Sequence, residues 1–154
     1  MSPAMSVNLL RLVPTDPAWV PDDWHQARGA KALRRLCPIA EKISAARTDD
    51  IRFVDAGSNF QKIRCPACLT ELTYSWWQTG MDEAYKSAFK DLHVEVACCG
   101  HRTTLNDLAY DWPQGFGRWV LTAESPGRLE LSNDELSIVE EAVGHTLRQI
   151  WAHY

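Results

Sequence analysis

The sequence predicts an α+β fold: a ferredoxin-like βαββαβ sandwich whose two halves are separated by an insertion over residues 58–115. Three observations predict it. Outside that segment, stretches of strand length and of helical period follow the order strand, helix, strand, then strand, helix, strand. The segment itself holds four of the five cysteines, so its organisation differs from that of its flanks. The chain has 154 residues, 45% of them hydrophobic, which suits one domain with a substantial core. Residues 1–154 are therefore expected to form a single domain, with 58–115 packed on it as one unit.

Val7 to Val13 (VNLLRLV) reads as a strand stopped by Pro14. After a proline-punctuated loop, Asp22 and Asp23 place acids where a helix begins and its dipole is positive. Trp24, Ala27, Ala30, Leu33 and Leu36 give that helix an apolar face, and Pro38 kinks or interrupts it. A second helical piece is expected through Ile39, Ala40 and Ile43, fading by Arg47. Ile51 to Val54 reads as a short strand ended by Ala56-Gly57-Ser58-Asn59. Phe60 to Arg64 and Leu69 to Tyr74 should form a hairpin with Cys65-Pro66-Ala67-Cys68 at its tip.

Met81, Ala84, Tyr85, Ala88, Phe89 and Leu92 follow helical spacing, so the sequence predicts a helix over 81–92, with Trp76-Trp77 lying between strand and helix. His93 to Ala97 alternates as a strand and delivers Cys98 and Cys99. Phe116 to Thr122 is a further strand, stopped near Pro126-Gly127. Ser132 and Glu135 form a capping box, Leu131 and Leu136 a hydrophobic staple, and Gly144 a left-handed cap for the last helix. Thr146 to Tyr154 completes the set as a strand.

Charged residues make up 23% of the chain and the formal net charge is −4, which gives no reason to expect attraction to nucleic acid or anionic lipid. No apolar run approaches the ~18 residues that cross a membrane. Met1 to Pro14 lacks a basic region followed by an apolar stretch, because Asn8 and Arg11 break Val7 to Val13; a cytoplasmic protein is expected.

In a reducing compartment, paired cysteines point to metal and not to a disulfide framework. A Cys-x-x-Cys turn presents both sulfurs of Cys65 and Cys68 to one ion, and Pro66 stiffens the turn. The second half, Cys98-Cys99-Gly100-His101, is irregular: Val96 stands where a standard knuckle has cysteine. The expected cofactor is one structural Zn2+ held by Cys65, Cys68, Cys98 and Cys99, with His101 as competing fourth ligand. Four thiolate or imidazole ligands leave the metal no open position, so the site should support the fold and not perform chemistry.

Cys65, Pro66, Cys68, Cys99 and Gly100 resemble the zinc-ribbon superfamily over about a quarter of the chain, although Leu69 stands where those proteins usually have glycine. The CPxC…CCG core, with Thr104-Leu105-Asn106-Asp107-Leu108 and Tyr110-Asp111-Trp112-Pro113 after it, also resembles small uncharacterised bacterial proteins, a likeness that supplies no function.

Of seven tryptophans, Trp76, Trp77 and Trp112, together with Tyr110, fall near the cysteines; they either wrap the metal site as a satellite core or share a surface for a protein partner. Arg28, Lys31, Arg35 and Lys42 lie roughly on one helix face, read as a solvated face. The five histidines show no protease spacing, and no serine or cysteine sits in a nucleophile context. The segment 65–115 carries Lys86, Lys90 and Arg102 against seven carboxylates, a net −4 that argues against phosphate contact. The expected role is a non-catalytic protein-binding module of adaptor, inhibitor or toxin-immunity type. A zinc-ribbon nucleic-acid-binding or regulatory protein is the alternative, and a metal-dependent enzyme ranks below both.

Overall fold

The computed structural model describes residues 6–154; residues 1–5, part of the stretch read above for a leader, lie outside the described residues. The fold is α+β, with antiparallel sheets and, among the described residues, three α-helices. Along the chain the elements are β1 (Asn8–Pro14), α1 (Asp23–Leu36), β2 (Lys42–Val54), β3 (Ile63–Arg64), β4 (Glu71–Leu72), α2 (Tyr74–Tyr85), β5 (His93–Glu95), β6 (Arg102–Thr104), β7 (Ala109–Tyr110), β8 (Gly115–Glu124), α3 (Asn133–Val143) and β9 (Leu147–His153). A 3-10 turn, Leu105–Asp107, precedes β7.

The largest sheet has the order β2-β8-β1-β9, and every neighbouring pair is antiparallel. Strand side chains alternate between faces. One set, with Leu10, Leu12, Trp119, Leu121, Ala123 and Leu147, packs against Leu33 of α1 and Val139 and Val143 of α3. Trp119 is fully buried yet satisfied, because its indole N–H donates to Gln26 Oε1 at 2.8 Å. The alternate set, Val13, Val120 and Ile150, packs with Val54 and Ala56. Ala56 belongs to a strap that leaves β2 at one edge of the sheet and reaches β9 at the other. There Gly57 bridges His153, and the Ser58 N–H donates to the His153 carbonyl at 2.8 Å. Arg11 donates to the Asp55 carbonyl at 2.9 Å and the Tyr154 hydroxyl donates to Asp55 Oδ2 at 2.6 Å, so the strap is tied at its start.

Local signals explain the helix ends. Asp22 caps α1 by accepting from the His25 N–H at 2.8 Å. Ser132 and Glu135 close a reciprocal capping box on α3, and Gly144 ends it at φ 89°.

Two expectations are corrected. Residues 42–47 are not helical: they begin β2, a 13-residue edge strand that also absorbs the predicted Ile51–Val54 strand. Its pairing with β8 runs from Lys42↔Glu124 to Val54↔Gly115, with a bulge between Arg47 and Arg52. Ile43 and Ala45, two apart, face the helix-side core, so the period is that of a strand. Arg118 Nε donates to the Thr48 carbonyl at 3.1 Å and anchors the bulge. The predicted 81–92 helix is displaced toward the N-terminus: α2 spans Tyr74–Tyr85 and includes Trp76 and Trp77, with Thr73 as its cap. Ala88 and Phe89 have φ of 53° and 59°, which stops the helix while still turning Phe89 against Phe116, with ring centroids 5.3 Å apart.

The elements between β2 and β8 enclose a second core of Ile63, Leu72, Trp77, Met81, Leu92, Val96, Leu105 and Tyr110, which meets the main sheet at Phe53 and Phe116. No helix among the described residues is long and apolar enough to cross a membrane.

Candidate metal centre

Two short hairpins carry the cysteines. The first, β3–β4, pairs Ile63 with Leu72 and Arg64 with Glu71. Across its tip the Cys65 N–H donates to the Thr70 carbonyl and the Leu69 N–H to the Cys65 carbonyl, both at 2.9 Å. The Ala67 N–H points at Cys65 Sγ, 3.4 Å away. Leu69 takes φ 60°, the left-handed position that glycine usually fills in such a knuckle. The second hairpin, β5–β6, ends its ladder at Glu95↔Arg102. Beyond it the Val96 N–H donates to the His101 carbonyl and the Gly100 N–H to the Val96 carbonyl, both at 3.0 Å, with Gly100 at φ 72°.

The structure brings Cys65, Cys68, Cys98 and Cys99 together, their sulfurs all within 4.8 Å of one another. Sulfur–sulfur distances are 3.8 Å for Cys65–Cys99, 3.4 Å for Cys68–Cys98 and 3.9 Å for Cys98–Cys99. A tetrahedral ion with metal–sulfur bonds of ~2.3 Å has ligand edges of about 3.8 Å. The group therefore has the dimensions of a mononuclear site and could hold one metal ion. A polynuclear iron–sulfur cluster would spread the sulfurs farther, because iron and bridging sulfide intervene. All five cysteines are free, and the fifth, Cys37, is fully buried in the helix-side core. Among the described residues no histidine or carboxylate joins the four sulfurs, and His101 is exposed.

The surroundings treat the sulfurs unequally, favouring the thiolate at Cys68 and the thiol at Cys98 and Cys99. Thr70 Oγ1 lies 3.1 Å from Cys68 Sγ. Its hydroxyl, with its backbone N–H, pulls the Cys68 thiol down to about 6. Cys98 is pushed up to about 12, by desolvation first and then by hydrogen bonding with the Cys68 and Cys65 sulfurs. Without metal such neighbours share a proton, and a bound cation takes its place. Cys65 is buried while Cys68, Cys98 and Cys99 are exposed, so the site lies at the surface with one cysteine rooted in the second core.

The four aromatic residues do not share a surface. Trp77 and Tyr110 are only 6% and 9% exposed, and the Trp77 Nε1–H donates to the Tyr110 hydroxyl at 3.1 Å. That hydroxyl donates in turn to the Leu105 carbonyl at 2.6 Å, and burial pushes the phenol up. Trp76, one position around the helix, is half-buried, and Trp112 is exposed. Of the two readings of Trp76, Trp77, Tyr110 and Trp112, a satellite core or one partner-binding patch, the burial of Trp77 and Tyr110 accords with the core for those two and takes them out of any exposed patch.

The sequence reading missed Thr70 and the joint that holds the cysteine-bearing segment to the sheet. At that joint Arg148 of β9 donates to the Asn106 carbonyl at 2.6 Å, to Asn106 Oδ1 at 3.0 Å and to the Gln114 carbonyl at 2.9 Å. Asn106 Oδ1 also accepts the Phe116 N–H, and Gln114 Oε1 the Ala56 N–H, each at 3.0 Å. Asn106 and Gln114 are the buried polar residues of this region, at 4% and 1% exposure. The available signals were a hydroxyl two residues from a cysteine sulfur and an arginine next to the first leucine of the final strand.

Comparison with family models, with curated proteins and with solved structures finds no match to this chain.

Proposed function

We propose that the chain is a zinc-stabilised, non-catalytic protein-binding module, of the adaptor, inhibitor or toxin-immunity type, working in the reducing cytoplasm. The observation that carries this reading is the spacing of the four sulfurs, 3.4–3.9 Å between measured neighbours. Such a set fills every position of a tetrahedral ion and leaves none for substrate or water. Zinc suits it because a d10 ion has no geometric demand beyond the tetrahedron and accepts four thiolates.

The proposed frame is a ferredoxin-like sandwich with a zinc-ribbon-like insertion over 58–115. It is supported by the antiparallel order β2-β8-β1-β9, with α1 and α3 on one face, and by the separate core that surrounds the cysteines.

Elemental analysis with thermal melts tests the metal assignment. One zinc per chain is expected in the wild type and in His101→Ala, with loss of metal and a lower melting temperature in Cys98→Ser and in Cys99→Ser. Zinc that depends on His101, or a chain that carries none when prepared under reducing conditions, would overturn the closed four-cysteine site. The non-catalytic reading, which rests on that site, would fall with it.

A further inference from the structure

The outer faces of α1 and α3 flank a groove of about 550 Å³. Trp24, Arg28, Lys31 and Arg35 recur at helical spacing along the α1 wall, and Ile138 and Glu141 stand on the α3 wall. Trp24 and Ile138 are 63% and 53% exposed, although each is large and apolar. The Arg28 guanidinium lies over the Trp24 ring, 4.7 Å from its centroid, a cation–π contact made on the outer face of α1. Ala32 and Ala142 keep the space between the helices open. None of Arg28, Lys31 and Arg35 makes an ion pair among the described residues. Three cations without an ion-pair partner therefore border one furrow, against the single carboxylate of Glu141 in its lining, on a chain whose net charge is −4.

We infer that this groove is a docking surface for an acidic, amphipathic peptide segment of a partner protein. Apolar anchors of the segment would seat on Trp24 and Ile138 while its carboxylates face Arg28, Lys31 and Arg35. Charge complementarity selects the occupant: the basic rim attracts carboxylates, while Trp24, Ile138 and the two alanines offer contact to an apolar side chain inserted between the helices. A single-stranded nucleic acid would also meet the cations and could stack on the indole. It gains little from Ile138 and the two alanines, and Glu141 repels its phosphates. The inference deepens the protein-binding reading and rests on it.

The test is fluorescence anisotropy with the zinc-loaded full chain and three labelled probes: a 15-residue helical peptide with leucine and phenylalanine on one face and glutamate on the other, its lysine-for-glutamate twin, and a short oligo-dT. Saturable binding of the acidic peptide alone is expected, weakened by added salt. Trp24→Ala and the double variant Arg28→Glu/Lys31→Glu should each weaken it by about ten-fold or more. All three changes are at exposed positions, and circular dichroism checks that the variants remain folded. Failure of the acidic peptide to bind, equal binding of the lysine twin, or binding indifferent to these substitutions would overturn the inference, and oligo-dT competing at the same groove would replace it with the nucleic-acid reading. A natural partner that still cross-links to Trp24→Ala and to the charge-reversed protein would leave the binding-module reading standing and overturn the groove alone.

Discussion

Leu69 is held at φ 60° with its side chain 63% exposed, so a branched residue occupies backbone space that favours glycine while burying little in return. The knuckle imposes this conformation: the bonds from Cys65 to Thr70 and from Leu69 to Cys65 fix the turn whichever residue sits there. Leu69→Gly should therefore raise stability by about 0.5–1 kcal/mol in denaturant titrations of the metal-loaded protein, the relief of left-handed strain exceeding the entropy cost of glycine. An unchanged or lower midpoint would show that the exposed leucine contributes packing. Gly57 presents the opposite case. At φ 62° it passes so close to the His153 backbone that a Cβ would collide with the carbonyl oxygen. Gly57→Ala should lower the melting temperature and speed amide exchange at Ser58, whose N–H bonds that carbonyl. At this scale the sequence was most legible where residue chemistry is specific. Paired cysteines announce themselves by identity and spacing, whereas Gly57 looked like any turn residue because the strand it approaches lies nearly a hundred positions away.

Among elements, α3 was legible because each end is written in local chemistry: Ser132 and Glu135 act within a turn of each other, and Gly144 closes onto the Glu140 carbonyl one turn before it. Glu135 also carries a pH dependence. The Arg128 guanidinium, donating at 2.8 and 2.5 Å, and then the Ser132 N–H pull its carboxyl from 4.5 down to about 2. A depressed carboxylate contributes stability that is fully present above its unfolded value and is lost as pH falls through the folded value. Stability should thus decline from about pH 4.5 toward pH 2, and Glu135→Gln should flatten that part of the profile and lower stability at neutral pH. Acid melts that superimpose for wild type and variant would remove Glu135 from the account.

The two misread elements failed for different physical reasons. Around the start of β2, Ile39, Ala40 and Ile43 mimic helical spacing by accident: Ile39 is an exposed loop residue, Ala40 packs on the helix-side core from that loop, and Ile43 packs on it from the strand. In α2 the apolar spacing continues past the end of the helix. Ala88 and Phe89 turn left-handed to bring Phe89 onto Phe116, a tertiary demand with no local trace.

For the whole molecule, the consequential contacts are those through which Arg148 of β9 grips Asn106 and Gln114. Arg148→Met keeps the aliphatic length but leaves buried acceptors without donors, a loss of about 1–3 kcal/mol per group. Calorimetry should show a destabilised protein whose cysteine-bearing segment and main sheet melt in separable steps. A single unbroken transition at the wild-type temperature would show that apolar contacts at Phe53 and Phe116 suffice to couple the two cores.

The pairing of Val54 with Gly115 has a kinetic side. It joins the edge strand β2 to its neighbour β8 across roughly sixty intervening residues, and the entropic toll of closing such a loop grows with its length. An ion gathered early by Cys65, Cys68, Cys98 and Cys99 would cinch that interval into a much shorter effective loop before β2 and β8 meet. A cation that steadied the finished molecule would then also hasten its assembly, and a chain folding in the presence of a chelator would search longest for the pairing that seats β2 on the edge of its own sheet.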